Sequence, residues 1–457
     1  MEAKILYSIL LAILYSFLFF AQFAKASHFQ IPVTHHGSFI EDLIAAGRQR
    51  DDSDSRTASQ RRYEQLFPGK HLSEDLRDYT KAFQDGAMLK RRLLQKPDST
   101  TQTSQNLVDF YSAFLTGNVT LGTPGQVLQV GFDLGSADFW VVDSECTSQA
   151  CEGNATTYAR QKFNKSQSST YQSQSNNFTS GLGGIEAHGV WASDNFKMAG
   201  MSNSSLPFGI INEVTDGFIN VPVDGKKYLV ISWAYPFRRY CFRLTGILGL
   251  GWPSLSTANS TAVFEAIKSQ LDKPIFSLYI ERKRDLSQPT TNGVITYGKK
   301  DDTNCASTWT DISVSVKEYW QIKSSGFKVG QFKSRGSEEI VLYTFSPILI
   351  GPQNDVDWIL NATNAKYDDA YKLYSVNCTS GSLPDIVFII GGKEYAIPPN
   401  NYLIQKQDDS SVCYLMIMSA NLDVLGFDWI LGAPFLRSYC TAYNFGDATI
   451  SLANTKL

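Results

Sequence analysis

Short apolar runs separated by turn-forming residues dominate the chain from about residue 108 onward. Examples are VLQVGFDLG, FWVVD, PIFSLYIE, GVITYG and YWQIKSSGFKVG, which are rich in β-branched and aromatic residues and bounded by Gly, Asn or Ser. Stretches with the spacing of a long amphipathic helix are scarce in this part. The pattern therefore predicts an all-β fold with few short helices.

The same order of segments occurs twice within the β-rich part. The first copy holds VLQVGFDLGSADFWVV and later GILGLGWP, and the second holds EEIVLYTFSPILIGP and later WILGAPFL. In each copy an apolar strand enters a turn, a second one leaves it, and an apolar strand ending in glycine follows about 85 to 120 residues later. The repeat predicts two similar β lobes, over residues 105–275 and 276–457, whose turns face each other across a cleft.

The N-terminal region has a different composition. An uncharged apolar run over residues 5–24 ends in Ala24-Lys25-Ala26, which predicts a secretory signal peptide over residues 1–26 and an extracellular or lysosomal protein. An uncleaved membrane anchor is the alternative, because about 20 apolar residues can cross a bilayer. Residues 27–104 are polar and contain no cysteine. We interpret them as a propeptide with a candidate processing site at residues 90–92, the alternative being a flexible tail.

Composition excludes several classes of partner. The net charge of −3 and the lack of a basic, aromatic stripe argue against nucleic acid. His188 is the only histidine after residue 104 and no C-x-x-C pair occurs, so we expect no metal site and no cofactor. All seven cysteines lie at or after Cys146, which in an oxidising compartment predicts disulfides and one leftover thiol.

Eight N-x-S/T sequons predict a glycosylated surface. The acceptor asparagines are Asn118, Asn154, Asn164, Asn177, Asn203, Asn259, Asn361 and, weakest because it adjoins a cysteine, Asn377.

Taken together, these segments resemble the pepsin-like aspartic peptidases. FYSAFLTGNVTLGTPGQ resembles the opening strands of that family, GFDLGSADFWVV its first active-site turn, GILGLGWPSLS a specific family motif, and DWILGAPFLRSYCTAYNFGDATISLA its closing strands. The resemblance implies a bilobal fold whose central cleft binds extended peptides, and we expect a monomer. It also implies the disulfides Cys146–Cys151, Cys378–Cys413 and Cys305–Cys440, with Cys241 left over.

The resemblance implies a definite chemistry. In the family two aspartates share one proton; one activates a water and the other donates a hydrogen bond to the carbonyl oxygen under attack. Asp133 matches the first aspartate and is followed by Gly135 and Ser136. Leu134 stands where the family has a threonine whose hydroxyl helps to join the two turns.

The second turn departs from the family pattern. Tyr343, Thr344, Phe345 and Ser346 stand where the family has Asp-Thr-Gly-Thr/Ser, if the following Gly-Pro pair is used as the anchor. Tyrosine normally titrates near pH 10, so Tyr343 can donate a hydrogen bond but cannot serve as a paired carboxylate. Phe345 in place of glycine implies a changed backbone.

Other residues offer little replacement for the missing acid. Asp355 and Asp357 are typical of a solvated helix start, and Glu338 and Glu339 are the only acids in residues 338–351. Serine or cysteine catalysis would need His188, which we interpret as a surface residue.

A hairpin over FTSGLGGIEAHGVWAS is expected to form the family's flap over the cleft. Leu182 then occupies the position of the flap tyrosine, and Gly183 keeps the hairpin flexible.

Three functions agree with these observations. The leading hypothesis is a secreted, glycosylated peptidase homologue without activity, whose cleft is retained for a peptide or protein ligand. The second is an active aspartic endopeptidase with an altered site, and the third is a structural or storage glycoprotein.

Overall fold

The computed structural model of the chain describes residues 103–456 except for 111–113, 153–159, 183–184, 215–243, 258–260, 282–289, 335, 369–372, 380–382, 407–408 and 423–424. The predicted signal peptide, nearly all of the predicted propeptide, Gly183, Cys241, Asn154 and Asn259 therefore lie outside the described residues. The described part is mainly β-strand, which confirms the predicted fold class.

The strands are short and follow one another closely. In chain order they begin with β1 (Thr103–Phe110), β2 (Phe114–Leu121), β3 (Gln126–Asp133), β4 (Phe139–Val142), β5 (Gln172–Leu182), β6 (Ile185–Met198), β7 (Met201–Val214), β8 (Gly246–Gly249), β9 (Ile275–Ile280), β10 (Thr290–Tyr297) and β11 (Thr310–Ser313). They continue with β12 (Gln321–Val329), β13 (Phe332–Lys333), β14 (Glu338–Leu342), β15 (Leu349–Gly351), β16 (Lys366–Asp368), β17 (Leu373–Asn377), β18 (Ile386–Ile390), β19 (Lys393–Ile397), β20 (Leu403–Gln405), β21 (Val412–Leu415), β22 (Ile417–Ser419), β23 (Trp429–Leu431), β24 (Tyr439–Asn444) and β25 (Thr449–Asn454).

The helices of the described residues are also short. They are α1 (Gln149–Glu152), α2 (Val263–Ile267), α3 (Gln353–Thr363), α4 (Pro399–Tyr402) and α5 (Ala433–Leu436), with single 3-10 turns at Lys165–Gln167, Pro253–Leu255 and Lys268–Gln270.

Three sheets form within the described part. The largest runs in the order β11-β25-β24-β9-β10-β1-β2-β3-β8-β4-β7-β6-β5. The second runs β19-β18-β12-β14-β23-β15-β22, with β13 paired to β12, and the third runs β16-β17-β21-β20. Strands from both predicted lobes therefore share the largest sheet, and the predicted boundary between residues 275 and 276 falls at the first residue of β9.

The internal repeat appears as two copies of one strand arrangement. In the first copy β3 pairs in parallel with β8, β8 pairs antiparallel with β4, and β4 pairs in parallel with β7. In the second copy β14 pairs in parallel with β23, β23 antiparallel with β15, and β15 in parallel with β22. The repeated apolar segments that end in glycine thus form β8 and β23. In each copy this strand lies between the strand that enters the turn and the strand that leaves it.

Burial explains why these inner strands are apolar along their whole length. Every residue of β4, β8, β15 and β23 is buried, so each strand has a neighbour on both faces. A strand of this kind shows no alternation of polar and apolar residues. The continuous runs FWVV, GILG, LIG and WIL follow from this position.

Candidate active site

The first turn of the site follows β3, whose last four residues are buried. Asp133 ends the strand and is completely buried. Residues that follow β8 support the turn, since the amide of Leu250 donates to the Asp133 carbonyl (2.6 Å) and the amide of Gly251 donates to the Ser136 carbonyl (2.7 Å). A Cβ atom at Gly251 would lie 2.8 Å from the Ser136 carbonyl oxygen, so this close approach favours glycine in the GLGW segment.

The second turn is supported by β23 in the same way. The amide of Tyr343 donates to the Leu431 carbonyl (3.2 Å), and the amide of Ala433 donates to the Ser346 carbonyl (2.8 Å). A Cβ atom at Gly432 would lie 2.2 Å from the Ser346 carbonyl oxygen. Two distant segments therefore form two matching turns, as the repeat predicts.

Thr344 joins the two turns directly. Its hydroxyl donates to the Phe132 carbonyl (2.8 Å) and accepts from the Leu134 amide (3.1 Å), across more than 200 positions of sequence. The matching residue of the first turn is Leu134, which is fully buried in the main apolar cluster. The hydrocarbon side chain of Leu134 cannot form the equivalent hydrogen bonds to the second turn. Of these two matching residues, only Thr344 links the turns through a hydroxyl group.

Tyr343 lies across the first turn. A Cβ atom at Gly135 would lie 2.4 Å from Cε2 of the Tyr343 ring, which shows that the ring packs directly on that glycine. Phe345 packs in the same manner on Gly131, because a Cβ atom at Gly131 would lie 2.6 Å from Cζ of the Phe345 ring. Phe345 does not take a positive φ, so the second turn accommodates this side chain without left-handed backbone strain.

The Asp133 carboxyl group has few polar partners. The Gly135 amide donates to Oδ1 of Asp133 (3.0 Å), whereas Oδ2 has no hydrogen-bond partner among the described residues. Burial raises the pKa of Asp133 to about 6, and the nearby Ser136 hydroxyl and the Gly135 amide partly oppose this rise. No second carboxylate among the described residues contributes to the pKa of Asp133.

The charge of Asp133 acts on two tyrosines, Tyr343 and Tyr319. Burial raises the pKa of Tyr343 well above its usual value, and the charges of Asp133 and Tyr319 raise it further. Tyr319, which precedes β12, has its pKa raised by burial and by the charges of Glu318 and Asp133. Both phenols therefore stay protonated at any physiological pH and act only as neutral groups. Sequence reasoning missed Tyr319, because it lies outside both turn motifs.

The other acids considered from the sequence lie elsewhere. Asp355 stands in the first turn of α3, where it is partly buried rather than solvated, and burial and the charge of Asp428 raise its pKa. Asp357 is exposed on the same helix. Glu338 begins β14, at the opposite end of that strand from the Tyr343 turn, and its pKa is raised by burial and by Asp355 and Asp428 rather than by Asp133. These acids form a separate group.

β5 and β6 pair over the segment expected from the sequence to form the flap. β5 and β6 pair antiparallel up to Leu182 and Ile185, which flank the two-residue tip. The Leu182 side chain and Gly183 lie outside the described residues, so their assignment to the flap stays a prediction. His188 on β6 has a partly exposed side chain, with Nε2 3.9 Å from Oε2 of Glu186.

Three disulfides occur among the described residues, and they are the three pairs that the resemblance implies. They are Cys146–Cys151, Cys305–Cys440 and Cys378–Cys413.

Sequon asparagines of the described part lie at or near the surface. Asn118, Asn177, Asn361 and Asn377 are exposed, and Asn164 and Asn203 are partly buried. Attachment of sugar to any of them stays a prediction.

The described residues contain neither a cluster of metal ligands nor a candidate membrane-spanning helix. No group of three or more His, Cys, Asp or Glu side chains could hold a metal ion there. No helix there has the length and apolar character needed to cross a membrane.

Comparison with known proteins places the site in context. The family model described as eukaryotic aspartyl protease matches residues 114–455. Aspartic protease 17 of Caenorhabditis elegans is 30% identical over 440 residues, covering 96% of this chain and 97% of that protein. Aspartic protease 1 of the same species is 33% identical over 353 residues, covering 76% and 84%. Pepsin A of Bos taurus is 28% identical over 361 residues, covering 78% and 88%.

Proposed function

Because the chain belongs to the eukaryotic aspartyl protease family and yet carries Tyr343 opposite Asp133, we propose that it is a secreted peptidase homologue that does not hydrolyse peptides and that binds an extended peptide or protein segment in its cleft. The Tyr343 ring on Gly135 is the observation that carries this proposal. The proposal extends to a cleaved signal peptide, glycosylation and a monomeric state.

Hydrolysis by two carboxylates depends on their sharing one proton. Two like charges in contact cannot both ionise, so one acid stays protonated while the other takes a proton from water. Asp133 has a phenol as its neighbour, and that phenol does not ionise at physiological pH. The Tyr343 ring also occupies space above Gly135, next to the buried Asp133 carboxyl group, where a water would have to be held.

The altered endopeptidase is the second candidate, and one observation favours it. Oδ2 of Asp133 has no partner among the described residues, and the pKa of about 6 suits a general base near neutral pH. A neutral phenol could then donate a hydrogen bond to the developing oxyanion. On this hypothesis Tyr319 and Tyr343 would both be catalytic.

Digestion of a broad peptide library between about pH 3 and 7 separates the two candidates. The proteins compared are wild type, Asp133→Asn, Tyr343→Asp and, as a matched control that keeps the ring at the same position, Tyr343→Phe. We expect no cleavage by wild type, Asp133→Asn or Tyr343→Phe, and any cleavage by Tyr343→Asp would mean that the scaffold can still hold a reacting peptide. Cleavage by wild type that Asp133→Asn abolishes would refute the proposal.

Ligand binding needs a separate measurement. Wild type should retain a subset of extended peptides from the same library at neutral pH, with sequence preference. Uniform failure to retain any peptide would favour the structural or storage glycoprotein.

The absence of hydrolysis also predicts the fate of residues 27–104. We expect the purified full chain to keep this segment when it is brought to pH 3–4, because no active dyad is available to cut it. A trypsin-like protease added in trans should cut near Lys90-Arg91-Arg92. Intact mass spectrometry checks both, and spontaneous shedding that Asp133→Asn prevents would contradict an inactive site.

A further inference from the structure

Trp358 of α3 and Phe332 of β13 form an aromatic pair at the surface, away from the turns of the site. Trp358 is 47% exposed, although it is one of the largest apolar side chains of the described residues. Its ring stacks almost parallel to Phe332 of β13, with centroids 4.2 Å apart and an angle of 12° between the planes. Phe332 supports one face of the indole, and much of the remaining surface of Trp358 lies in water.

A predicted sugar attachment site stands one helical turn further on. Asn361 belongs to the same helix, is exposed, and begins the sequon Asn361-Ala362-Thr363. Residues three apart are neighbours on a helix surface, with Cβ atoms about 5–6 Å apart. Helical side chains lean toward the N-terminus, so the Asn361 amide leans toward the turn that carries Trp358.

The threonine of this sequon forms a hydrogen bond within α3. Thr363 is buried, and its hydroxyl donates to the Ile359 carbonyl (2.8 Å). Transfer of an N-linked glycan requires access to the hydroxyl group of the sequon threonine. In the folded helix the hydroxyl group of Thr363 is buried. A sugar on Asn361 must therefore be attached before α3 forms, while the chain enters the secretory pathway.

We propose that an N-linked glycan on Asn361 packs its first N-acetylglucosamine onto Trp358 and so covers the Trp358–Phe332 pair. The covalent tether gives this sugar a far higher local concentration than any free partner could reach. The indole has an apolar face and a polar edge, which matches a sugar ring with apolar C–H groups and polar rims. The inference rests on the secretory route in the proposed function and is independent of the cleft.

A double-mutant cycle on the secreted, glycosylated full chain tests the contact. Wild type, Asn361→Gln, Trp358→Ala and the double variant are compared by calorimetry. Asn361→Gln should lower Tm by about 2 °C when Trp358 is present and leave it unchanged when Trp358 is alanine. Trimming with endoglycosidase H, which leaves the first sugar in place, should preserve this difference.

Controls distinguish the outcomes. Asn118→Gln removes another exposed sequon, on β2, and its effect on Tm should not depend on Trp358. Equal effects of Asn361→Gln in both Trp358 backgrounds would overturn the inference, as would loss of the difference on trimming. Glycopeptide mass spectrometry measures which sequons carry a glycan. If Asn361 is unmodified while other sequons are glycosylated, this inference alone is refuted. If no sequon is glycosylated, the proposed secretory route is refuted as well.

Discussion

Asp133 is a fully buried acid whose ionisation destabilises the folded state. Burial raises the pKa of its carboxyl group from 3.8 to about 6, although the Ser136 hydroxyl and the Gly135 amide partly oppose the rise. The folded state therefore binds the proton more tightly than the unfolded state does. Stability should fall as the pH rises from about 4 to about 6 and change no further from this group above that range.

Asp133→Asn should remove this dependence, because asparagine stays neutral and its oxygen can still accept from the Gly135 amide. We expect the free energy of unfolding at pH 8 to increase by up to about 3 kcal/mol and to be unchanged at pH 3, as measured by urea denaturation.

Asp302→Asn provides a control of opposite sign. A hydrogen bond from Lys299 lowers the pKa of the exposed Asp302, so the loss of this carboxylate should reduce stability slightly at neutral pH and have no effect in acid. A pH-independent effect of Asp133→Asn would contradict the pKa assigned to Asp133.

At the scale of elements, the start of β14 brings together acids from three segments. Glu338 opens β14, Asp355 stands in the first turn of α3, and Asp428 precedes β23. Burial raises the pKa of Glu338 to about 7, and repulsion from Asp355 and Asp428 adds to it, while the Ser334 hydroxyl opposes. Protonation of Glu338 therefore favours the folded state, and this contribution is lost as the pH rises from about 4.5 to about 7.

Glu338→Gln should raise Tm by about 1–2 °C at pH 8 and leave it unchanged at pH 4, because solvent near this partly buried group limits the effect. Glu339→Gln is the matched control. Oε2 of Glu339 accepts from the side chains of Ser315 (2.5 Å) and Gln321 (3.0 Å), and a neutral amide oxygen accepts such bonds more weakly than a carboxylate, so its replacement should lower Tm at pH 8. If both variants shift Tm in the same direction, repulsion between Glu338 and the neighbouring acids is not the cause of the Tm change in Glu338→Gln.

At the scale of the whole molecule, the three disulfides close loops of very different length. Cys305–Cys440 joins residues 135 positions apart, and Cys146–Cys151 joins residues only 5 apart. Each bridge restricts the unfolded chain, and the restriction grows with the length of the loop.

Replacement of both members of one pair by alanine should therefore destabilise the fold by roughly 5 kcal/mol for the long loop and roughly 2 kcal/mol for the short one. Urea denaturation of the two double variants, compared with wild type, measures the difference. Equal losses would mean that native packing around the bridges, rather than loop closure, sets their contribution.

The sequence by itself determined the strand content and the repeat, and it is the basis for the prediction that Tyr343 replaces an aspartate. Apolar runs between turn residues are local signals, and β4, β8, β15 and β23 show them because both of their faces are buried. The predicted exchange of aspartate for tyrosine likewise rests on a single short motif. The disulfide pairs came from the family resemblance, since spacing alone leaves many pairings open.

The tertiary structure decided how the remaining parts meet. Thr344 reaches the first turn across more than 200 positions, and the ring of Tyr343 comes to lie on Gly135. Tyr319 joins the surroundings of Asp133 from a third segment. Such contacts depend on how two halves of the chain pack, and no local pattern of apolar and polar residues encodes the position of a side chain against a segment so distant in sequence.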